Sequence, residues 1–225
     1  VLTTSMTNEK ADYYARNISY NDEGCASYDL MHNNEKIDRI TLGVAGSHNV
    51  SNSLECIALC LWYKLPIEMI KEGLIGFTGA SRRLEYKGKF KGACVYDDYG
   101  HHPTEIMATS NAIHKKQYNE SWVIFEAHTY SRAYKHKVDF AKALKNFDHI
   151  IVTDIYAARE ENVYGITEDD IVKAIKKYGK EAFYISNYDD IKLYLSQYVH
   201  DGDLILTLGA GNVTKVADLL VSKNE

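Results

Sequence analysis

The chain has 225 residues, 45% hydrophobic and 25% charged, with 26 Lys+Arg against 31 Asp+Glu for a net charge of −5. Only 2 Pro occur, below the usual share of about 5%, which excludes proline-rich linkers and stalks and leaves room for one large domain or two small ones. The acidic balance, with no basic run interleaved with aromatics, argues against a nucleic-acid partner.

The sequence opens at Val1, strand-like over residues 1–21 and without a charged-then-apolar leader. A text that starts mid-pattern is expected to be a piece of a longer one. No apolar stretch approaches the roughly 18 residues of a membrane-spanning helix, so no membrane partner is expected. Short strands are predicted at 12–21, 24–33 and 36–44, separated by Asn, Asp and Gly clusters, as in a β-meander. Val50, Leu54, Ile57, Ala58 and Leu61 then recur at helical spacing over 47–63, with Ser47 a candidate cap. Pro66 ends that helix and suits the first turn of another over 67–74. Cys25, Cys56, Cys60 and Cys94 include no Cys-x-x-Cys pair, and reduced thiols in a cytoplasm are the simplest reading. Cys56 and Cys60 stand four apart on the expected helix, where two ligands could share a metal. Small buried residues account for them better, and no metal site is expected.

A domain boundary is expected around 79–83. Beyond it comes a hairpin (84–90 and 93–99). Helices at 104–116, 136–147, 168–178, 189–198 and 213–222 then alternate with strands at 122–126, 149–154, 182–185 and 203–208. This order implies parallel β-α-β units with helices on both faces of the sheet, where ligands bind beyond the carboxyl ends of the strands.

The residues after each strand therefore carry the functional reading. Asp97-Asp98-Tyr99-Gly100-His101-His102-Pro103-Thr104-Glu105 follows the first of them. Pro103 suits a first helical turn, and Glu105 the positive end of a helix dipole. A solvated capping loop needs one acid. The surplus acid, Tyr and two His suit a ligand loop, with a carboxylate for ribose hydroxyls and imidazoles for phosphate or acyl oxygens. The next strand ends in Ala127-His128-Thr129-Tyr130-Ser131-Arg132. Arg132 is shaped to hold a carboxylate or phosphate through two parallel hydrogen bonds, a bare surface loop being the alternative. Residues 155–161 fit a plain exposed loop as well as a ligand contact. Gly209-Ala210-Gly211 lacks the third Gly, and the acid about 20 residues on, of a dinucleotide fingerprint. It reads instead as a tight turn that lets a ligand approach backbone N–H groups. In the first segment Asn49 and Asn52 share a helix face and offer donor and acceptor together, as an adenine edge requires. Arg82 and Arg83 bring positive charge to the boundary, where a nucleotide phosphate could lie.

The strings TNEKADYYARNI, GSHNVSNSLECIAL, FTGASRRLE, DDYGHHPTEI, AHTYSR, DIYAARE and LTLGAGN follow one another in this order. Together they resemble the Mur ligases, the ATP-dependent amide-forming enzymes of peptidoglycan precursor synthesis, over nearly the whole chain. DDYGHHPTEI favours the branch that joins L-alanine to UDP-N-acetylmuramate. The resemblance implies that 1–80 is the end of the family's central ATP-binding domain, incomplete here. It implies that 81–225 is the C-terminal Rossmann-like domain, an α/β fold with a mostly parallel sheet and helices on both faces. It also implies ATP and Mg²⁺ as cofactors, UDP-N-acetylmuramate and L-alanine as substrates, and a cytoplasmic location. Carried over by motif, Asn49 and Asn52 contact adenine, Arg83 the phosphates and Asp98 the ribose. Tyr99, His101, His128 and Arg132 surround the L-alanine and an acyl phosphate; His101, His128 and Arg132 are the catalytic candidates, and Arg132 is the carboxylate partner. Thr129 stands where many relatives carry Arg, which weakens that one contact. No Gly-x-x-Gly-Lys-Thr/Ser loop occurs in these residues, and the family's Mg²⁺ ligands lie upstream of Val1. N-terminal and central-domain segments are thus expected to be missing, and the polypeptide as given is not expected to turn over. Two other readings stand beside this one: a recycling ligase that attaches a ready-made peptide to the same nucleotide sugar, and a non-catalytic nucleotide-binding module.

Overall fold

The computed structural model describes residues 1–21, 24–114 and 116–222, which form two compact units, Val1–Gly79 and Ala80–Glu225. In the first unit β1 (Thr4–Ser5) runs parallel to β2 (Tyr13–Tyr20), and β2, β3 (Cys25–His32) and β4 (Glu35–Ala45) form the expected antiparallel meander. Asn33 and Asn34 join β3 to β4 at φ 50 and 66, the doubly left-handed turn that matches strand twist and that Asn tolerates. Helices α1 (Ser47–Trp62) and α2 (Ile67–Gly76) follow, and Leu54 and Ile57 of α1 pack with Tyr28, Leu30 and Ile40 of the sheet. The Tyr28 hydroxyl pairs with Ser53 Oγ at 2.7 Å, and burial pushes its pKa up to about 12.

Several local expectations are corrected here. Of residues 1–12 only Thr4–Ser5 is strand, β2 beginning at Tyr13. The cap position of α1 is Gly46, with Ser47 already helical, and Pro66 occupies the cap position of α2 rather than its first turn. Cys56 is exposed and Cys60 half-buried, so burial does not explain Cys56.

The second unit holds a six-stranded sheet. Its elements are β5 (Glu85–Phe90), β6 (Ala93–Asp98), α3 (Pro103–Ile113), β7 (Ser121–Phe125), α4 (Tyr130–Leu144), β8 (His149–Val152), α5 (Glu168–Lys176), β9 (Ala182–Tyr184), α6 (Tyr188–Tyr198), β10 (Leu204–Leu208) and α7 (Thr214–Val221). The spatial order is β5-β6-β10-β7-β8-β9, with only β5 antiparallel to its neighbour. All five residues of β7 are buried, which a strand can satisfy only when both sheet faces are covered. Val123 and Phe125 point into the layer formed with α3, α4 and α5, while Trp122 and Ile124 point into the layer formed with α6 and α7. The α/β class with helices on both faces is therefore as the sequence implied.

The place of β10 matters most for function. It lies between β6 and β7, in register so that Leu208 is level with both Asp98 and Phe125. The residues that follow three separate strands thus meet at one edge. Helix α4 begins at Tyr130, six residues before the expected 136, so Arg132 belongs to a helical first turn and not to a loop.

Candidate active site at the sheet edge

Asp97, fully buried at the end of β6, accepts hydrogen bonds from Thr207 Oγ1 (2.6 Å), Thr214 Oγ1 (2.9 Å) and Arg82 Nε (3.0 Å). The rest of the Arg82 guanidinium donates to the carbonyls of Gly209 and Gly211 and lies 4.9 Å from the centre of the Tyr99 ring. Arg82 is consequently a tie within the fold. Arg83 is the more open cation, its side chain 53% exposed and 3.8 Å from Glu105 Oε1. Asp98 is 5% exposed and accepts from the N–H groups of Leu84 and Gly100 (2.8 Å each) and from Thr109 Oγ1 (3.1 Å). Burial raises its pKa against the pull of those donors. Three of about four acceptor positions on the carboxylate are taken, leaving one for a ligand hydroxyl.

Tyr99, His101, His128 and Arg132 are brought together. The Tyr99 and His101 rings meet edge to face at 5.5 Å, and the His101 and His128 rings are 5.4 Å apart. Arg132 Nη1 is 3.4 Å from His128 Nδ1. A guanidinium can only donate, so Nδ1 is the acceptor and the proton of a neutral His128 sits on Nε2. Burial, then Arg132 and His101, lower the His128 pKa, with Glu160 opposing them. The cluster therefore offers a cation beside a neutral imidazole whose N–H has no hydrogen-bond partner among the described residues.

Sequence reasoning passed over the parts that hold this cluster. Thr129 caps α4 at φ 62 and ψ 144, a conformation costly for a β-branched residue. Its N–H donates to Tyr156 O at 2.8 Å, and Tyr156 in turn donates to Ala127 O at 2.8 Å and stacks on His128. Glu160 accepts from Ser131 N–H (2.8 Å) and Ser131 Oγ (2.6 Å). Residues 155–161, which fitted an exposed loop equally well, are thus stapled to the segment carrying His128 and Arg132.

The Gly-x-Gly turn is a correction. Glu126, 3% exposed, fills it: Oε2 accepts from Asn212 N–H at 3.1 Å and lies 3.4 Å from the Tyr188 hydroxyl, while Oε1 has no partner among the described residues. Burial raises the Glu126 pKa, offset in part by the N–H groups of Val213, Asn212 and Gly211. A ligand anion would meet a carboxylate there. Glu105 likewise accepts from the N–H groups of His101 and His102 before α3, and Glu160 from Ser131 at the start of α4. With these three helix starts carrying internal acids, anion recognition at this edge falls to side chains. An acid closing a fully apolar strand, as in Trp122-Val123-Ile124-Phe125-Glu126, was the signal that could have exposed Glu126.

In the first unit, Asn52 Nδ2 donates to Asn49 Oδ1 at 3.2 Å, so the two amides do share a face of α1. Among the described residues no group of three or more His, Cys, Asp and Glu is disposed to hold a metal ion, and no helix is long and apolar enough to cross a membrane.

Residues 82–211 match the family described as Mur ligase, glutamate ligase domain. The chain belongs to the Mur ligase family. It is 44% identical over 221 residues to the UDP-N-acetylmuramate–L-alanine ligase of Lachnospira eligens, covering 98% of this chain and 48% of that protein. To the ligase of the same name from Clostridium perfringens it is 39% identical, with 98% and 48% covered. The chain spans about half the length of these Mur ligases. Its fold is similar to the solved UDP-N-acetylmuramate-alanine ligase of Thermotoga maritima (TM-score 0.69, 24% identity, 97% of this chain and 47% of that one). It is also similar to a murein peptide ligase of Psychrobacter arcticus (TM-score 0.71, 23% identity, 98% and 45%).

Proposed function

We propose that this chain supplies the amino-acid-binding part of an ATP-dependent ligase that joins L-alanine to UDP-N-acetylmuramate. The observation that carries the reading is the Arg132–His128–His101 cluster after the ends of β6 and β7, the two strands that flank β10, in a chain so similar to curated L-alanine ligases. Arg132 holds the amino-acid carboxylate through its planar fork. His128, neutral with its proton on Nε2, donates to the acyl oxygen on which negative charge develops as the amine attacks. Tyr99 and His101 wall the site. ATP with Mg²⁺ supplies the activation of the muramyl carboxylate when bound. In donor type, Asn49 and Asn52 suit the adenine and Arg83 the phosphates, and the remaining acceptor position of Asp98 suits a ribose hydroxyl. The nucleotide substrates and four free thiols suit a cytoplasmic setting.

The test is a chimera carrying the upstream half of the Clostridium perfringens ligase joined to this chain. ADP release that requires both L-alanine and UDP-N-acetylmuramate is expected; release only with a preformed peptide would move the assignment to a recycling ligase, and none with either would remove the catalytic reading. The 225 residues alone, which contain no Gly-x-x-Gly-Lys-Thr/Ser loop, are expected to release no ADP.

The state of His128 is testable on the chain itself. A lowered pKa means that His128 takes up its proton below the ordinary value of about 6.5. Arg132→Ala removes a cation that lowers that pKa, so the midpoint in an NMR titration of the His128 ring should rise. The rise should be partial, because burial is the larger cause. An unchanged or lower midpoint would break the proposed pairing.

A further inference from the structure

Arg132 and His128 match only part of an α-amino acid. The guanidinium takes the carboxylate, but the substrate's ammonium needs negative charge close to the same cluster. The acids at this edge differ sharply in what they have left to give. Asp97 is fully buried and its oxygens are taken by Thr207, Thr214 and Arg82, while Asp98 keeps, beyond Leu84, Gly100 and Thr109, only the one acceptor position that suits a ribose hydroxyl. Glu126 lies beneath the turn at Asn212. Glu105 accepts from the N–H groups at the start of α3 and lies 3.6 Å from His101 Nδ1 and 3.8 Å from Arg83 Nη1, so its charge is already shared between those two, and Asp154 is held by the Tyr184 hydroxyl and Ser186 Oγ on the β9 side. Glu160 is half-buried and bonded to Ser131, the residue before Arg132. It also acts electrostatically on His128.

The loop carrying Glu160 is fixed from both ends of the contact. Tyr156 pairs with the backbone of Ala127 and Thr129, and its ring stacks on His128 with centroids 5.6 Å apart. Each Glu160 oxygen accepts one hydrogen bond from Ser131, and the Thr129 hydroxyl also bears on the carboxylate, which leaves about one acceptor position of four for a ligand. The two Ser131 donors also lower the Glu160 pKa, so the side chain keeps its charge at neutral pH.

We propose that Glu160 receives the ammonium of the incoming amino acid while Arg132 holds its carboxylate, so that this edge selects an α-amino acid over the matching α-hydroxy acid. The inference rests on the ligase reading above and adds a specificity residue to it. Glu160 is then more than the cap of α4, and the two roles separate by experiment.

The measurement is an NMR titration of the whole chain with L-alanine and, separately, with L-lactate, which keeps the carboxylate and replaces the ammonium by hydroxyl. The wild-type chain should bind L-alanine at least about tenfold more tightly than L-lactate, following the His128 and Ser131 signals. Glu160→Gln should abolish that preference by weakening L-alanine alone. Ser131→Ala, which removes a capping donor and leaves the Glu160 charge, should preserve it. Equal affinity of the wild-type chain for the two ligands overturns the proposal without any variant, as does a Glu160→Gln change that weakens both ligands equally; either result leaves the ligase reading standing. If neither ligand moves these signals in the wild-type chain, the amino-acid-binding reading itself fails and takes the proposal with it.

Discussion

Gly209→Ala is expected to destabilise the Ala80–Glu225 unit by about 3 kcal/mol, combining overpacking and backbone strain of roughly 1–3 kcal/mol each. Gly209 has φ 153, and a Cβ there would lie 2.6 Å from the Glu126 carbonyl oxygen and 3.0 Å from Glu126 Cβ. Neither neighbour can retreat easily. The Glu126 N–H donates to Leu208 O at 2.9 Å, and Glu126 is anchored at its far end by Asn212. The same change moves the Gly209 carbonyl that receives Arg82, so the tie over Tyr99 loosens as well. At about 2–4 °C per kcal/mol for a domain of this size, the melting transition of this unit should fall by roughly 6–12 °C. A fall of less than 2 °C would mean that the turn can open without cost, and the account of Glu126 as its filler would fail.

Arg132→Ala in the active chimera should lower kcat/KM for L-alanine by about 30- to 1000-fold, the loss of roughly 2–4 kcal/mol that follows truncating one partner of a desolvated charge pair. The guanidinium stands at the third position of α4 and 3.4 Å from His128, so its loss removes the carboxylate anchor and a neighbour of the imidazole. KM for ATP should stay within about twofold. Arg132→Lys should recover little, because an ammonium cannot reproduce the planar two-point contact. Kinetics within threefold of the parent would take Arg132 out of the site.

Much of this architecture was legible because burial on both faces leaves a plain mark in sequence. Trp122 to Phe125 is an uninterrupted apolar run, and such a run, bounded by polar loops and followed by a helix-length segment, admits few topologies. Asn33-Asn34 marks its own turn. The clustering of His101, His128 and Arg132 followed from placing them after strands of one parallel sheet, but those strands are not adjacent as their sequence order suggests, because β10 lies between them. What escaped was fixed by partners far away in the chain. Arg82 and Arg83 are the same residue type side by side, yet Arg82 is bound to carbonyls 127 and 129 positions away, while Arg83 is half exposed. The Gly-x-Gly turn looked open because the acid that fills it lies 86 positions before Asn212. Helix α4 was started too late because its cap, Thr129, adopts a left-handed conformation that nothing in a β-branched residue announces.

The position of β10 also sets a schedule for synthesis. Strands β6 and β7 do not pair with each other; each pairs with β10, whose residues Leu204–Leu208 are made only after α3 to α6. Until those residues leave the ribosome, both strands keep one hydrogen-bonding edge open, the kind of edge that invites pairing with other chains. Closure then depends on contacts more than 100 residues apart in sequence, such as Thr207 with Asp97, which are slow to form. A nascent chain that stalls before Leu204 would therefore hold two unfinished half-sheets, and the edge on which Asp98, Gly209 and Glu126 meet would not yet exist.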